Sequence, residues 1–396
     1  MKKLICAILC GALLLSAFSG CGASPASSTA SGTSSETSAA AETSSAAAET
    51  SAASSDAGTI TVTDHAGNTV IVPKNIERVA VCGIYPLPSV LTVFFGSAEK
   101  IVAMPKQSMA AAQNGLLGQL YPEILNAQTE CVSGDQINTE ELLKLKPDVV
   151  FYSASDSATG ETLKNAGFTC VAVSVNKWHY NCIETLNNWI SLLSEMFPED
   201  DKAAAVEKYS SETYDMIQER VSSLSDAERA RVFVLFQYSD TNMLTSGKNF
   251  FGQWWCDAIG AVNVAEELTD DNSVAVSMEQ VYAWNPGVIL VTNFTQAQPD
   301  DLYNNTVGTD DWSGISAVQS KRVYKMPLGM YRSYTPGADT PITLMWLAKT
   351  VYPDLFKDID VTAKAKAYYK DVFGVELTDA QAESIFAPVS AAAAGF

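Results

Sequence analysis

The feature that most constrains the fold of this chain is a helix–proline–strand sequence that occurs twice. The first copy, from Ile137 to Tyr152, reads INTEELLKLKPDVVFY. The second, from Val276 to Val291, lies 139 positions later and reads VSMEQVYAWNPGVILV. Pro147 of the first copy corresponds to Pro286 of the second. A unit repeated at the spacing of a domain predicts two similar lobes.

Each copy carries the local signals of a short helix followed by a buried strand. Asn138 and Ser277 suit helix N-caps, because a short side-chain oxygen accepts a hydrogen bond from an unpaired backbone N–H. Glu141 and Gln280, three residues later, predict capping boxes. Each helix ends before its proline, since the residue preceding proline avoids the helical conformation. The apolar run that follows does not alternate, which is typical of a parallel strand buried on both faces.

The first 58 residues predict an export signal and a tether. Two lysines precede an apolar run from Leu4 to Phe18, which is too short to be a comfortable membrane span. Small residues then lead to Cys21, as in a bacterial lipoprotein signal, so we expect residues 1–21 to be the signal peptide and Cys21 to carry lipid. An ordinary cleaved signal peptide is the alternative. Residues 22–58 are rich in Ser, Ala, Thr and Glu and predict a disordered tether.

Charge and cysteine content limit the partners. The formal net charge of −20 argues against nucleic acid and anionic lipid head groups. After the signal and Cys21, an odd number of cysteines remains, and they show no close pair: Cys82, Cys131, Cys170, Cys182 and Cys256. This pattern supports neither a disulfide framework nor a zinc site. We expect most of these cysteines to be small buried residues.

Strands and helices alternate in two series along the rest of the chain. The first predicts a β-hairpin at 59–72, strands at 78–83, 100–103 and 169–175, and helices at 87–95, 161–167 and 182–197. The second predicts strands at 231–238, 262–265 and 321–326, and helices at 250–260, 341–351, 362–373 and 378–386. We predict an α/β fold of two mostly parallel lobes, 59–198 and 225–396, joined by one long helix over 199–224.

In this order the segments resemble the iron-siderophore and vitamin B12 binding proteins of bacterial ABC importers. The resemblance covers about Thr59 to Phe386 and rests on TVTDHAGNTVIVP, ERVAV, KIVAM, NTEELLKLKPDVV, SGKNFFGQWWCDAIGAVNVAEEL, SMEQVYAWNPGVILV and KRVYKMPLG. The chain departs from the family at Gly287, where Asp is usual. The resemblance implies two lobes bridged by a helix, with ligand in the cleft between them. It also implies a permease and an ATPase as partners, and no resident cofactor. We further expect a lipid-anchored monomer outside the cytoplasmic membrane.

Candidate ligand-binding residues follow from the rule that ligands lie beyond the carboxyl ends of parallel strands. The residues expected there are Tyr85, Lys106, Gln107, Tyr152, Trp178, Tyr180, Tyr238, Lys248, Phe250, Arg332 and Tyr334. Aromatic rings offer contact area to a bulky chelate, and the cations can balance the charge of a ferric chelate. We expect a chelated iron complex, with cobalamin or haem as the alternative. Tyr152 can equally belong to the core, and Arg332 can form a surface salt bridge.

Two other pairs of residues have separate roles. Glu140 and Glu279 fall in the first turn of each repeated helix, where a carboxylate stabilises the helix dipole. The resemblance implies that they also bind arginines of the permease. We expect both to lie away from the carboxyl ends of the strands, where ligand should sit. His65 and His179 are the two histidines of the chain, which is too few for a typical site for a free transition metal. We expect His65 in a solvated turn and His179 near the cleft, as a candidate ligand of a metal complex.

An enzyme is the competing class of function. The sequence lacks GxSxG, HExxH, the P-loop and GxGxxG, so no motif supports catalysis. We therefore expect no enzymatic activity, although a convergent triad leaves no local signature. An adhesin or signalling receptor on the same scaffold is a third class.

Overall fold

The computed structural model describes residues 58–133 and 136–395. The predicted signal peptide, Cys21 and the tether before Gly58 lie outside these residues. Within them, no helix is long and apolar enough to cross a membrane.

The first lobe is built on a four-stranded parallel sheet. Its strands are β1 (Thr59–Thr63), β2 (Thr69–Pro73), β3 (Val79–Cys82), β4 (Ile101–Ala103), β5 (Val132–Ser133), β6 (Gln136–Ile137), β7 (Val149–Ser153) and β8 (Cys170–Val173). Its helices are α1 (Leu87–Phe95), α2 (Lys106–Asn114), α3 (Leu116–Leu120), α4 (Thr139–Leu145), α5 (Ser157–Asn165) and α6 (Cys182–Met196). The sheet order is β4–β3–β7–β8, and β1–β2 and β5–β6 are separate antiparallel pairs.

The second lobe is built on a six-stranded mixed sheet. Its strands are β9 (Arg231–Tyr238), β10 (Met243–Ser246), β11 (Val262–Asn263), β12 (Ser273–Ala275), β13 (Val288–Val291) and β14 (Val323–Lys325). After the long helix α7 (Ala203–Val221) come α8 (Phe251–Ala258), α9 (Met278–Trp284), α10 (Pro299–Asn304), α11 (Ser316–Gln319), α12 (Thr340–Val351), α13 (Val361–Phe373) and α14 (Asp379–Ser384). The order is β12–β10–β9–β13–β14, with β11 beside β9. Strands β10 and β12 are antiparallel additions that the sequence did not predict.

The repeated unit forms the same structure in both lobes. Asn138 caps α4 by accepting from the N–H of Glu141 at 3.1 Å. Ser277 caps α9 in a complete capping box, in which Gln280 also accepts from the Ser277 N–H at 2.9 Å. Each helix ends on a residue with positive φ immediately before the proline, and β7 and β13 then pair in parallel with the first strand of their own sheets. The predicted helix–proline–strand unit is confirmed.

The helix between the lobes is shorter than the sequence indicates. A 3-10 turn spans Pro198–Asp200, and Asp201 accepts from the N–H of Ala203 at 2.9 Å, so α7 begins at Ala203 and not at Glu199. Nineteen residues give about 28 Å, where 35–40 Å is expected from the longer helix. Helix α7 packs against α6, α8, α12 and α13, and the largest core cluster extends through both lobes.

His65 occupies a packed position and not a solvated turn, so this expectation is wrong. Its backbone N–H donates to the carbonyl of Ala172, and its ring Nδ1 accepts from the backbone N–H of Ser174 at 3.2 Å. The ring of Trp178 meets the imidazole edge-on, with 5.0 Å between centroids. Burial, with a smaller contribution from Lys177, lowers the pKa of His65 to about 4. The imidazole therefore fastens the hairpin to the end of β8.

Candidate functional site

A polar cavity of about 550 Å³ lies where the two lobes meet. The first lobe supplies Ser155, Asn176, His179 and Tyr180, and the second supplies Lys248, Asn249, Asp271 and Asn272. One ammonium, one carboxylate, an imidazole and three amides offer both donors and acceptors. This lining suits a polar ligand held by several directed hydrogen bonds.

The His179–Tyr180 pair is held in an uncommon backbone conformation. Both residues have positive φ, 51° and 59°, although neither is glycine. Such conformations are costly and are retained where the surroundings determine them, often at binding sites. The ring of Tyr180 packs against Phe250 and Phe251 of the second lobe, with centroid distances of 5.5 and 4.9 Å. Burial of this phenol raises the pKa of Tyr180.

The second-lobe side of the cavity is fixed by one close backbone approach. A Cβ added at Gly247 would lie 2.3 Å from the carbonyl oxygen of Leu268, so only glycine fits there. The next residue, Lys248, donates its N–H to the same carbonyl at 2.7 Å. Asn249 then donates from its side chain to the carbonyl of Thr269, also at 2.7 Å. The segment before α8 thereby holds Lys248 and Asn249 beside Asp271.

Two further cavities lie at the carboxyl ends of the strands, one in each lobe. In the first lobe, about 210 Å³ is lined by residues that include Gly83, Tyr85 and Ile137. In the second lobe, about 580 Å³ is lined by residues that include Gln237, Tyr238 and Ser390.

Beneath the second-lobe cavity, the ammonium of Lys325 donates to the carbonyls of Thr295 and Ala297, each at 2.7 Å. Its burial lowers the pKa of Lys325 to about 7.

Four of the sequence-predicted ligand residues line these cavities, and a fifth packs behind one of them. Tyr180 and Lys248 line the cavity between the lobes, and His179 lines it too, as the sequence indicated. Phe250 supports its wall through Tyr180. Tyr85 and Tyr238 line the cavities of the first and second lobes.

Three predicted aromatic residues are packing residues. Tyr152 is 4% exposed, and its ring lies so close to Gly160 of α5 that an added Cβ would approach within 2.4 Å. Tyr334 is 1% exposed, and its hydroxyl accepts a hydrogen bond from the backbone N–H of Gly252. Tyr238 is also largely buried, with its hydroxyl bonded to Asp310 and Trp312. Tyr152 and Tyr334 belong to the core behind the cleft. Only an edge of Tyr238 reaches the second-lobe cavity.

Other predicted ligand residues lie elsewhere. Trp178 packs against His65 at the hairpin. Lys106 is the first residue of α2 and pairs with Glu130 at 3.2 Å on the surface. Gln107, beside it, lies next to the backbone of Gly395. Lys106 and Gln107 do follow β4, but they begin helix α2, which starts directly after Pro105 and was not predicted.

Arg332 is fully buried, so it does not lie at the surface, where the salt-bridge alternative placed it. Its guanidinium donates to the carbonyls of Ala392 and Ala394, at 2.7–3.0 Å, and to the hydroxyl of Tyr331 at 3.1 Å. The guanidinium carbon lies 5.4 Å from the ring centroid of Phe294. The cation thus sits at the cleft side of the second lobe beneath residues 389–395.

Glu140 and Glu279 are exposed in the first turns of α4 and α9, as predicted. A hydrogen bond from the Ser277 side chain lowers the pKa of Glu279. Both helices begin at the carboxyl edges of their sheets, since Ile137, just before α4, lines the same cavity as Gly83. The sequence analysis placed these glutamates away from that edge, which is wrong. Their binding to a permease stays a prediction.

The cysteines of the described residues are all free and buried, which confirms their expected role in packing. The same part of the chain brings together no group of three His, Cys, Asp or Glu side chains able to hold a metal ion. A role for His179 toward a metal complex stays a prediction.

Sequence reasoning missed Ser155, Asn176, Asn249, Asp271 and Asn272. Asn176 and Ser155 follow predicted strands, so the same strand-end rule points to them, but aromatic residues were preferred. Asp271 and Asn272 precede β12, a three-residue strand without a readable pattern.

Comparison with known proteins identifies the family. A family model described as periplasmic binding protein matches residues 96–328. The chain belongs to the periplasmic binding protein family. Its members are transport solute-binding proteins, which confirms that this chain is an extracytoplasmic solute-binding protein of an ABC importer and not an enzyme. The permease and ATPase of such an importer are its partners.

Individual relatives agree with this assignment. The molybdate-binding protein MolA of Haemophilus influenzae is 26% identical over 335 residues, covering 79% of this chain and 90% of MolA. A periplasmic solute binding protein from Veillonella parvula has a TM-score of 0.74 at 28% identity, covering 83% of this chain and 97% of that one. The structure of MolA bound to molybdate has a TM-score of 0.67 at 24% identity, covering 80% and 99%. The two-lobed α/β fold is confirmed.

Proposed function

We propose that this receptor captures a ferric chelate in the cavity between its lobes and delivers it to the importer. The observation that carries the proposal is that Lys248 lines one polar cavity of about 550 Å³ together with amide and imidazole side chains. An ammonium and several N–H donors complement the oxygen-rich, anionic surface of an iron chelate. Tyr180 and Phe250 add an aromatic wall at one side.

Delivery is proposed to use the lipid anchor and the two glutamates. Lipid on Cys21 would hold the receptor at the outer face of the membrane, with residues 22–58 as the tether. Glu140 and Glu279 lie exposed on matching helices at the carboxyl edges of the two sheets. Two equivalent carboxylates suit a permease that presents two equivalent arginines.

Molybdate is a second candidate ligand, favoured by the similarity to the molybdate-binding protein MolA. A small oxyanion needs converging N–H donors and little aromatic surface. The interlobe cavity offers amides and one ammonium, while Tyr152 and Tyr334 are buried behind it. Cobalamin and haem stay as the macrocyclic alternatives.

The proposal is tested by thermal unfolding of purified residues 58–396 with ferric citrate, a ferric hydroxamate, molybdate, haem and cobalamin. A ligand at a hundred times its dissociation constant should stabilise the protein by about 2.7 kcal/mol. Lys248→Gln should reduce affinity for an anionic ligand about tenfold, equivalent to ~1.4 kcal/mol. Lys208→Gln, on the exposed face of α7, is the matched control. Stabilisation by cobalamin or haem alone would contradict the ferric-chelate assignment.

A further inference from the structure

The repeated helices α4 and α9 expose a large apolar side chain at the same place. Leu143 of α4 is 50% exposed, and Tyr282 of α9 is 43% exposed. They lie 139 positions apart, which is the spacing of the repeated unit, so they are equivalent residues of the two lobes. The residue before each of them, Leu142 or Val281, is fully buried. A single exposed apolar residue is ordinary, but a matched pair in two lobes indicates a shared role.

Each of these apolar residues adjoins one of the exposed glutamates. Leu143 follows Glu140 by three positions, and Tyr282 follows Glu279 by three, so the members of each pair are neighbours on the helix surface. Lys144, the cation of α4, is engaged by a different glutamate at 2.5 Å, and the sequence of α9 contains no Lys or Arg. Each helix therefore presents a carboxylate and an apolar side chain together on one exposed face.

The ring of Tyr282 is already held in position. Its hydroxyl donates to the carbonyl of Asp311. A Cβ added at Gly314 would lie 3.5 Å from the Cε1 atom of the ring, so the chain passes close beside it. A partner that covers a ring held in this way has less side-chain freedom to remove on binding.

A carboxylate beside an apolar side chain suits one kind of partner surface. An ion pair that stays in water contributes little to binding. Apolar contacts around such a pair exclude water and strengthen it. The formal net charge of −20 also favours a partner that carries cations. The complementary surface is an arginine next to an apolar pocket, presented twice.

We propose that Leu143 and Tyr282 are apolar docking residues for the permease, each buried beside the arginine that binds the neighbouring glutamate. This inference rests on the proposed function, because it adds a second type of contact to the docking by Glu140 and Glu279. Each permease subunit then holds one lobe through a charged contact and an apolar contact.

Binding to the importer's own permease–ATPase complex, held in lipid nanodiscs, tests these contacts. The full chain is compared with Leu143→Gln and Tyr282→Gln, which replace the apolar surface by a polar side chain. Each change should weaken binding about fivefold, and the double variant about twenty-fivefold, because contacts in different lobes act independently. Matched controls are Leu125→Gln and Tyr214→Gln, at residues 40% and 36% exposed outside the repeated helices. The controls should bind as the natural protein does.

Tyr282→Phe separates the ring from its hydroxyl. This variant loses the hydrogen bond to Asp311 and keeps the apolar surface, so it should retain most of the binding that Tyr282→Gln loses. Equal losses in the two variants would assign the effect to the hydroxyl and overturn the apolar contact. Circular dichroism and thermal unfolding check that each variant is folded.

Photo-crosslinking in cells that carry the full chain identifies the partner, with benzoylphenylalanine in place of Leu143 or Tyr282. Crosslinks to the permease, identified by mass spectrometry, support the proposal. Crosslinks to a second copy of this chain, or none at all, overturn it. Normal binding by both apolar variants, with weakened binding by Glu140→Gln and Glu279→Gln, rejects the apolar contacts and leaves docking by the glutamates intact. If the natural protein does not bind the complex, both proposals fail.

Discussion

In the first lobe, Asp148 follows the repeated proline, and its carboxylate accepts from the backbone N–H groups of Glu77 and Arg78, each at 2.8 Å. In the second lobe, Gly287 stands at the equivalent position. There the N–H of Ala230 donates to the hydroxyl of Tyr352 at 3.0 Å. The tyrosine that directly follows α12 thus supplies an acceptor that the repeated unit lacks, so the departure at Gly287 leaves the start of the strand supported.

The backbone contacts of the same unit are shared. The N–H of Asp148 donates to the carbonyl of Arg78 at 2.8 Å, and that of Gly287 donates to the carbonyl of Arg231 at 3.0 Å. The side chain of each arginine reaches back to the last turn of the repeated helix, at Leu145 or Trp284. The comparison teaches that the unit fixes the backbone geometry of both lobes, while side-chain partners can be exchanged.

The sheets of the two lobes differ most in the strands next to the cavity between the lobes. The first sheet is parallel throughout, whereas β10 and β12 extend the second sheet in antiparallel fashion. Lys248 and Asn249 follow β10, and Asp271 and Asn272 precede β12. The polar residues that the second lobe contributes to this cavity thus come from segments that have no counterpart in the first sheet.

Removing a strand-end tyrosine from the first lobe should have the largest effect on stability. Tyr152→Ala should lower the free energy of unfolding by about 3–5 kcal/mol, because it empties a buried site between β7 and α5. Tyr180→Ala, on the cavity side of the same lobe, should cost less stability and weaken ligand binding. Urea denaturation and calorimetry measure both. Weakened ligand binding by folded Tyr152→Ala, with Tyr180→Ala unaffected, would contradict the placement of these two rings.

Equivalence of the two lobes at the permease is tested by Glu140→Gln and Glu279→Gln. Both carboxylates are exposed, so ligand affinity in solution should stay near that of the natural protein. Uptake by cells carrying the double variant should fall at least about tenfold, since each carboxylate would lose an arginine partner in a desolvated contact. The matched control is Glu212→Gln on α7. Normal uptake by the double variant would limit these residues to stabilising their helices.

The β1–β2 hairpin belongs to the first lobe, and its anchor at His65 makes stability depend on pH. The folded pKa of His65, about 4, lies below its ordinary value of 6.5, so the neutral form stabilises the fold. This contribution is complete above pH 6.5 and is lost as pH falls toward 4, by up to about 3 kcal/mol. His65→Asn retains an acceptor that does not titrate. The free energy of unfolding, measured from pH 7 to 4, should decline less for this variant than for the natural protein. Equal declines would show that the imidazole of His65 is not the group responsible.

The smallest effect concerns the exchanged side chains of the repeated unit. Asp148→Gly should lower the free energy of unfolding by about 1–2 kcal/mol, through two lost hydrogen bonds to backbone N–H groups. Gly287→Asp should change it by less than about 0.5 kcal/mol, because the added Cβ has room and Ala230 already has a partner. Guanidinium denaturation compares the two. Equal losses would show that the lobes do not differ in this support.

Much of the scaffold could be predicted from sequence because it rests on local signals. The repeated helices have caps and prolines at fixed positions, and α1 has the predicted bounds Leu87–Phe95. The fold of β10, β12 and residues 389–395 depends on contacts distant in sequence. No local pattern shows that Ala392 and Ala394 would cover Arg332, since small residues near the end of a chain carry little periodic signal.

The candidate site was predicted only in part for a related physical reason. Aromatic residues at strand ends can face the cleft or the sheet interior, and sequence alone does not give the direction. Tyr180 faces the cavity because its strained backbone turns it toward Phe250, whereas Tyr152 faces α5, where Gly160 makes room. A glycine opposite an aromatic residue indicates that the ring faces the interior. This pairing can be recognised only once the position of the helix on the strand is known.

The central claim is that ligand binds between the lobes, against the His179–Tyr180 pair on one side and the Lys248–Asn249 pair on the other. A crystal structure with the anion that gives the largest thermal stabilisation tests it most directly. The account predicts ligand atoms within hydrogen-bonding distance, about 2.7–3.2 Å, of residues from both lobes in this cavity. Ligand confined to the second-lobe cavity beside Gln237 and Tyr238, with no contact to the first lobe, would contradict it.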